Sequence, residues 1–139
     1  MVKTVVLVPH KRIENKEDKK RIEELLDKAG EEEPDIVCLP EAFANWVSNP
    51  EPIPGPVTNM VAKKAGKYGM YAIAPVLEQR NGFLYNTAAI IDRSGEIMGT
   101  YSKTHLTPGE SFEGIKPGDN LPVFDTDFGR IAIMICYDI

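Results

Sequence analysis

The sequence predicts a layered α/β protein, with helices packed against a sheet, and three observations carry that prediction. Apolar runs of strand length alternate with segments whose apolar residues recur at helical spacing. Breakers separate them: Gly30 and Pro34 follow the first helical stripe, and Gly69 closes the second. A chain of 139 residues with 42% hydrophobic content suits one domain, residues 1–139, built around a buried core.

Residues 2–8 (VKTVVLV) are β-branched and nearly all apolar, the pattern of a strand covered on both faces. Ile22, Leu25, Leu26 and Ala29 then mark one helical stripe, with Glu17/Arg21 and Glu24/Lys28 spaced to pair on the exposed side. Asp35–Leu39 is a second strand ending at Pro40-Glu41. Residues 43–56 contain NPEPIPGP and form a loop beyond that strand. Val57, Met60, Val61, Ala65 and Tyr68 mark a second helix, and Tyr71–Leu77 a third strand. Asn86–Ile91 and Glu96–Tyr101 flank Arg93-Ser94-Gly95, a hairpin signal. After the turn-rich residues 104–122, Val123–Phe124 and then Arg130–Cys136 close the chain on a last apolar strand.

Charge and composition exclude several function classes. Lys and Arg number 16 against 21 Asp and Glu, a formal net charge of −5, which argues against a nucleic-acid partner. No apolar run approaches the roughly 20 residues of a membrane helix. The opening MVKTVVLVP leads into charged residues and no small-residue cleavage site, so it reads as a strand and not as a signal peptide. Cys38 and Cys136 are too few for a disulfide framework and suit a reducing, cytoplasmic setting. The two histidines, His10 and His105, have no Cys/His spacing for zinc, so no metal is expected. Pro9-His10-Lys11 stands where a dinucleotide binder has its glycines, and no Walker A pattern occurs, so no cofactor is expected.

Three polar side chains stand at the C-terminal ends of apolar runs, where open α/β sheets place ligands: Glu41 after IVCLP, Lys103 after Tyr101, and Cys136 after IAIMI. A thiolate is a nucleophile, a nearby cation favours it, and a carboxylate moves its proton. Each also has a plain structural reading: a buried small thiol, a loop-capping acid and a solvated lysine. His105 reads as a structural hydrogen-bonding residue, although a cysteine hydrolase using it as base is a conceivable alternative. Cys38, inside an apolar strand, reads as an inert buried thiol. Phe43, Asn45 and Trp46 could wall a pocket beside Glu41, or Trp46 could anchor the proline-rich loop.

Leu39-Pro-Glu41-Ala-Phe, Tyr101-Ser-Lys103-Thr-His-Leu106 and Ile135-Cys136-Tyr-Asp138 resemble the three signature blocks of the nitrilase superfamily of carbon–nitrogen hydrolases, in that family's order. Tyr85-Asn86-Thr87-Ala88, Lys116-Pro-Gly-Asp119 and Val123-Phe-Asp-Thr are similar to segments common there. The resemblance implies an αββα sandwich and a Glu-Lys-Cys site. By it, Cys136 would attack the carbon of a small-molecule amide, nitrile or carbamoyl group. Glu41 would take the thiol proton and later activate water. Lys103 and the backbone N–H of Tyr137 would stabilise the developing negative charge. A second glutamate beyond the lysine supports the substrate in such proteins; Glu110 is the better positional match and Glu113 the alternative.

Family members continue well beyond this cysteine, so the chain is expected to be the N-terminal portion of the sandwich, two helices on a sheet with the C-terminal half missing. Exposed sheet would then favour a homo-oligomer. Thin support for the thiol would leave turnover low. The alternative function is a catalytically inactive domain that serves as an oligomerising or interaction module.

Overall fold

The computed structural model describes residues 1–9, 13–44 and 49–139. The elements run β1 (Thr4–Val6), α1 (Lys16–Glu31), β2 (Ile36–Cys38), α2 (Pro56–Tyr68), β3 (Tyr71–Arg80), β4 (Phe83–Ile91), β5 (Ile97–Ser102), α3 (Pro108–Phe112), β6 (Val123–Thr126) and β7 (Gly129–Ala132), then a 3-10 turn at Cys136–Asp138. β1 to β5 form one sheet in sequence order; β1, β2 and β3 are parallel, while β3, β4 and β5 are antiparallel.

Local chemistry sets the helix ends. Asn15 caps α1, its side chain accepting from the N–H groups of Glu17 and Asp18. The pairs Glu17/Arg21 and Glu24/Lys28 do not form; Arg21 instead meets Asp18 at 3.9 Å and Lys20 meets Glu24 at 3.8 Å. The start of α2 is capped from outside the helix: buried Glu51 accepts from the N–H of Val57 and of Thr58. Gly69 ends α2 in the left-handed region, at φ 63°.

Both helical stripes are buried in one core. Ile22, Leu26 and Ala29 of α1 and Met60, Val61 and Ala65 of α2 pack with Val37, Ala72, Ala74 and Ile91 of the sheet. The sheet's alternation sends Ala88, Ile90 and Tyr101 to the opposite face, where they meet Phe124, Ile133 and Ile135. The first strand departs from expectation: β1 is only Thr4–Val6, and Val2, Val6 and Val8 are exposed, so as the edge strand it is not covered on both faces.

Two later elements also depart from expectation. β3 and β4 are longer than expected and joined by Asn81-Gly82, both at positive φ (52° and 81°), the two-residue turn that favours hairpins. Arg130–Cys136 is not one strand: β7 stops at Ala132 and pairs with β6 as a separate two-stranded ribbon. The ribbon lies on the sheet at Gly99, where an added Cβ would sit 2.8 Å from the Phe124 ring. Just beyond β4, Arg93 donates to Asp127 (2.7 Å), to Asp35 (2.7 Å) and to the carbonyl of Gly69 (2.8 Å), tying the ribbon's turn to the sheet. No helix among the described residues is long and apolar enough to cross a membrane.

Candidate active site

Glu41 leaves β2 on a tight turn in which the Phe43 N–H donates to the carbonyl of Pro40 and Ala42 takes φ 57°. Lys103 follows β5 directly, its N–H donating to the carbonyl of Asn86 on β4 at 2.8 Å. These backbone placements bring three polar side chains to the same end of the sheet. The Lys103 ammonium lies 3.1 Å from Glu41 Oε1 and 2.9 Å from Glu110 Oε2, with its side chain only 1% exposed.

Glu110 enters through α3. Thr107 and Glu110 form a reciprocal cap: the Glu110 N–H donates to Thr107 Oγ1, and Glu110 Oε2 accepts from the Thr107 N–H and hydroxyl. Glu113, at the far end of α3, is exposed. The geometry therefore selects Glu110 over Glu113 as the acid beside the lysine. The Thr-Pro-Gly-Glu spacing is itself a capping-box signal, and it could have separated the two from sequence.

Asn86 is the residue that sequence reasoning passed over. Fully buried, it donates through one amide nitrogen to Glu41 Oε1 at 2.6 Å and to Glu110 Oε1 at 2.8 Å. Two carboxylates thus share one ammonium and one amide, which offsets their mutual repulsion. Burial pushes the Glu110 carboxyl up, but donors from Thr107, Asn86 and Lys103 outweigh it and hold it below the usual range. Burial likewise works against the Lys103 ammonium, yet its bonds to Glu110 and Glu41 raise its pKa above the ordinary lysine value. Glu41 is the open member of the group, with 29% of its side chain exposed. Among the described residues no hydrogen bond engages its Oε2.

Cys136 is exposed and sits in the 3-10 turn at φ 46°, a region that non-glycine residues seldom occupy. Among the described residues no hydrogen bond or ion pair joins its sulfur to Glu41 or Lys103. The connection runs through Asp138, whose carboxylate accepts from the N–H groups of Thr104 (3.2 Å) and His105 (2.9 Å), immediately after Lys103. Tyr137, whose N–H was expected at the site, lies on the same turn with an exposed ring. His105 contributes its backbone to this link while its side chain is 71% exposed. Cys38 is half-buried, and burial pushes its thiol up. Phe43 packs in the helix-side core and does not wall the site. His10, Asn45 and Trp46 lie outside the described residues. Among the described residues no three His, Cys, Asp or Glu side chains cluster to hold a metal ion.

Known proteins share both sequence and fold with this chain. It is 33% identical over 134 residues to a β-ureidopropionase of Arabidopsis thaliana, covering 84% of this chain and 33% of that protein. It is 33% identical over 130 residues to an ω-amidase NIT2-A of Xenopus laevis, covering 83% of this chain and 47% of that protein. The chain thus spans half or less of the length of these relatives. In fold it matches the carbon-nitrogen hydrolase of Helicobacter pylori G27 with a TM-score of 0.82 at 22% identity, over 99% of this chain and 52% of that one. The helix-covered sheet with its ribbon is accordingly part of a nitrilase-type fold. A family profile described as carbon-nitrogen hydrolase matches residues 5–139, nearly the whole chain: this chain is a member of the carbon-nitrogen hydrolase family.

Proposed function

We propose that the chain carries the nucleophile, base and cation of a hydrolase acting on non-peptide carbon–nitrogen bonds of small molecules: amides, nitriles or carbamoyl groups. The observation that carries this reading is the buried Lys103 ammonium held between Glu41 and Glu110. On an amide, Cys136 Sγ attacks the carbonyl carbon and Glu41 Oε2 accepts the thiol proton. Lys103 and the Tyr137 N–H receive the developing oxyanion; one such donor is typically worth about 3–4 kcal/mol of barrier. Lys103 spreads its contacts over both oxygens of Glu110, so one N–H can turn to substrate while the ion pair persists. The carbon–nitrogen bond then breaks, and nitrogen leaves with the proton from Glu41 as ammonia or an amine. Water, deprotonated by Glu41, cleaves the thioester to give the acid and restore the thiol. Glu110 fixes Lys103 throughout.

The test is acylation of Cys136 by a small activated ester or amide, read by mass on the intact 139-residue chain. The expected result is a single adduct on Cys136, reduced at least about tenfold in Glu41→Gln. Adducts distributed equally over Cys136 and Cys38 refute the reading.

Assembly and location belong to the same proposal. Val6 and Val8, on and just after the free edge strand β1, are 63% and 79% exposed, which supports a homo-oligomer. Light scattering should give a dimer or larger species, and a well-folded monomer at micromolar concentration overturns this. Two free thiols, Cys38 and Cys136, suit the cytoplasm.

A further inference from the structure

We propose that Asp138 is the positioning residue of this site: its carboxylate holds the turn that carries Cys136 against the segment that carries Lys103. The inference deepens the reading of Cys136 as nucleophile and rests on it.

The Asp138 side chain is 3% exposed and accepts five hydrogen bonds. Oδ2 takes the Tyr101 hydroxyl at 2.6 Å and the Ile135 N–H at 2.9 Å. Oδ1 takes the Thr104 N–H at 3.2 Å, the Thr104 hydroxyl at 3.1 Å and the His105 N–H at 2.9 Å. Four of the five donors therefore come from the end of β5 and the two residues after Lys103, and the fifth comes from the residue before Cys136. Among the described residues no lysine or arginine accompanies this buried charge; the exposed His105 ring, 3.4 Å away, is its one cationic candidate. Burial pushes the carboxyl up, yet the donors hold it down to about 2, so it is ionised throughout the neutral range.

A buried carboxylate held mainly by neutral dipoles is costly unless every lone pair is used, and here the bonds all converge on one junction. Cys136 needs such a junction. Its backbone is in the left-handed region, and among the described residues the backbone–backbone bonds inside the turn are Asp138 N–H to Ile135 O and Ile139 N–H to Cys136 O. Those two bonds shape the turn without fixing where it lies. Asp138 fixes it relative to Lys103, and misplacing a reacting group by about 1 Å can cost roughly 100-fold in rate.

The test separates placement from general stability. In a Cys38→Ser background, Cys136 is labelled with bromotrifluoroacetone, and fluorine NMR spectra and thermal melts are recorded for the parent, Asp138→Asn and Tyr101→Phe. The parent should give one resonance displaced from its position in urea. Asp138→Asn should lose at least half of that displacement well below its melting midpoint, and Tyr101→Phe, which removes one donor of five, a smaller part in the same direction. A lowered melting point with unmoved native resonances makes Asp138 a stability residue and overturns the proposal. If Asp138→Asn does not fold, Tyr101→Phe decides alone, and an unmoved resonance again overturns it. Acylation of the unlabelled protein is read separately: a moved resonance without Cys136 acylation removes the nucleophile and leaves the clamp standing.

Discussion

Replacing Lys103 by Met removes the only cation that, among the described residues, serves a group of two carboxylates and one amide. Taking away one partner of a buried ion pair typically costs about 3–5 kcal/mol, because the other charge is left without compensation. Glu110 is 10% exposed and feels that cost almost in full, whereas Glu41, 29% exposed, is partly relieved by solvent. The lower end, about 3 kcal/mol, is therefore expected near pH 7.5. In urea, with a slope of about 2 kcal/mol/M, the midpoint should fall by about 1.5 M. The pH dependence carries the sharper signature. In the parent, Glu110 has a folded pKa below 4.5, so its contribution is complete above 4.5 and is lost only as pH falls through the lowered value. Without Lys103, two carboxylates share the Asn86 amide, and repulsion pushes one of them above its unfolded value. The folded variant then binds more protons than the unfolded chain, and its stability rises as pH falls toward about 5. The deficit should shrink by about 1 kcal/mol, roughly one pKa unit of differential binding, between about pH 7.5 and 5. Urea titrations followed by circular dichroism measure both quantities. A deficit under about 1 kcal/mol, or one identical at the two pH values, refutes this account of the site.

Asn86→Asp places a third carboxylate where one amide serves two, so it should be less stable than Asn86→Ala by about 1–3 kcal/mol near pH 7, with the gap closing toward pH 5; equal urea midpoints would contradict the shared-amide geometry. Arg93→Met should release the β6–β7 ribbon and speed amide exchange over residues 124–131 while costing only about 1–2 kcal/mol, because Arg93 and Asp127 are 33% and 54% exposed. Gly118→Ala would drive a methyl into the Ser102 carbonyl oxygen, one residue before Lys103, and should cost about 1–3 kcal/mol in thermal melts. Gly109→Ala, whose methyl meets only Thr107 Oγ1 at 3.9 Å, should be near neutral and serves as the control.

Features that repeat over a few residues are legible before any fold is known. Ile22, Leu26, Met60, Val61 and Ala65 are legible as buried because helical spacing gathers them on one face, whatever that face meets. Glu41, Lys103 and Cys136 are singled out as candidates because each follows an apolar run, and of these the structure brings Glu41 and Lys103 into contact. The Asn81-Gly82 turn was equally local, and reading it would have joined β3 to β4 as the hairpin they form. The hydrogen bonds that assemble the site are of another kind. Asn86 meets Glu41 across 45 residues, Lys103 meets Glu41 across 62, and Thr104 meets Asp138 across 34. No periodicity records such a pairing, since it exists only once β2, β4 and β5 lie side by side and the turn at Cys136 folds back on them. For the same reason an apolar run could not reveal that β7 ends at Ala132: Ile131, Ile133 and Ile135 are hydrophobic in either case, and only the ribbon's packing on the sheet decides which of them belong to a strand.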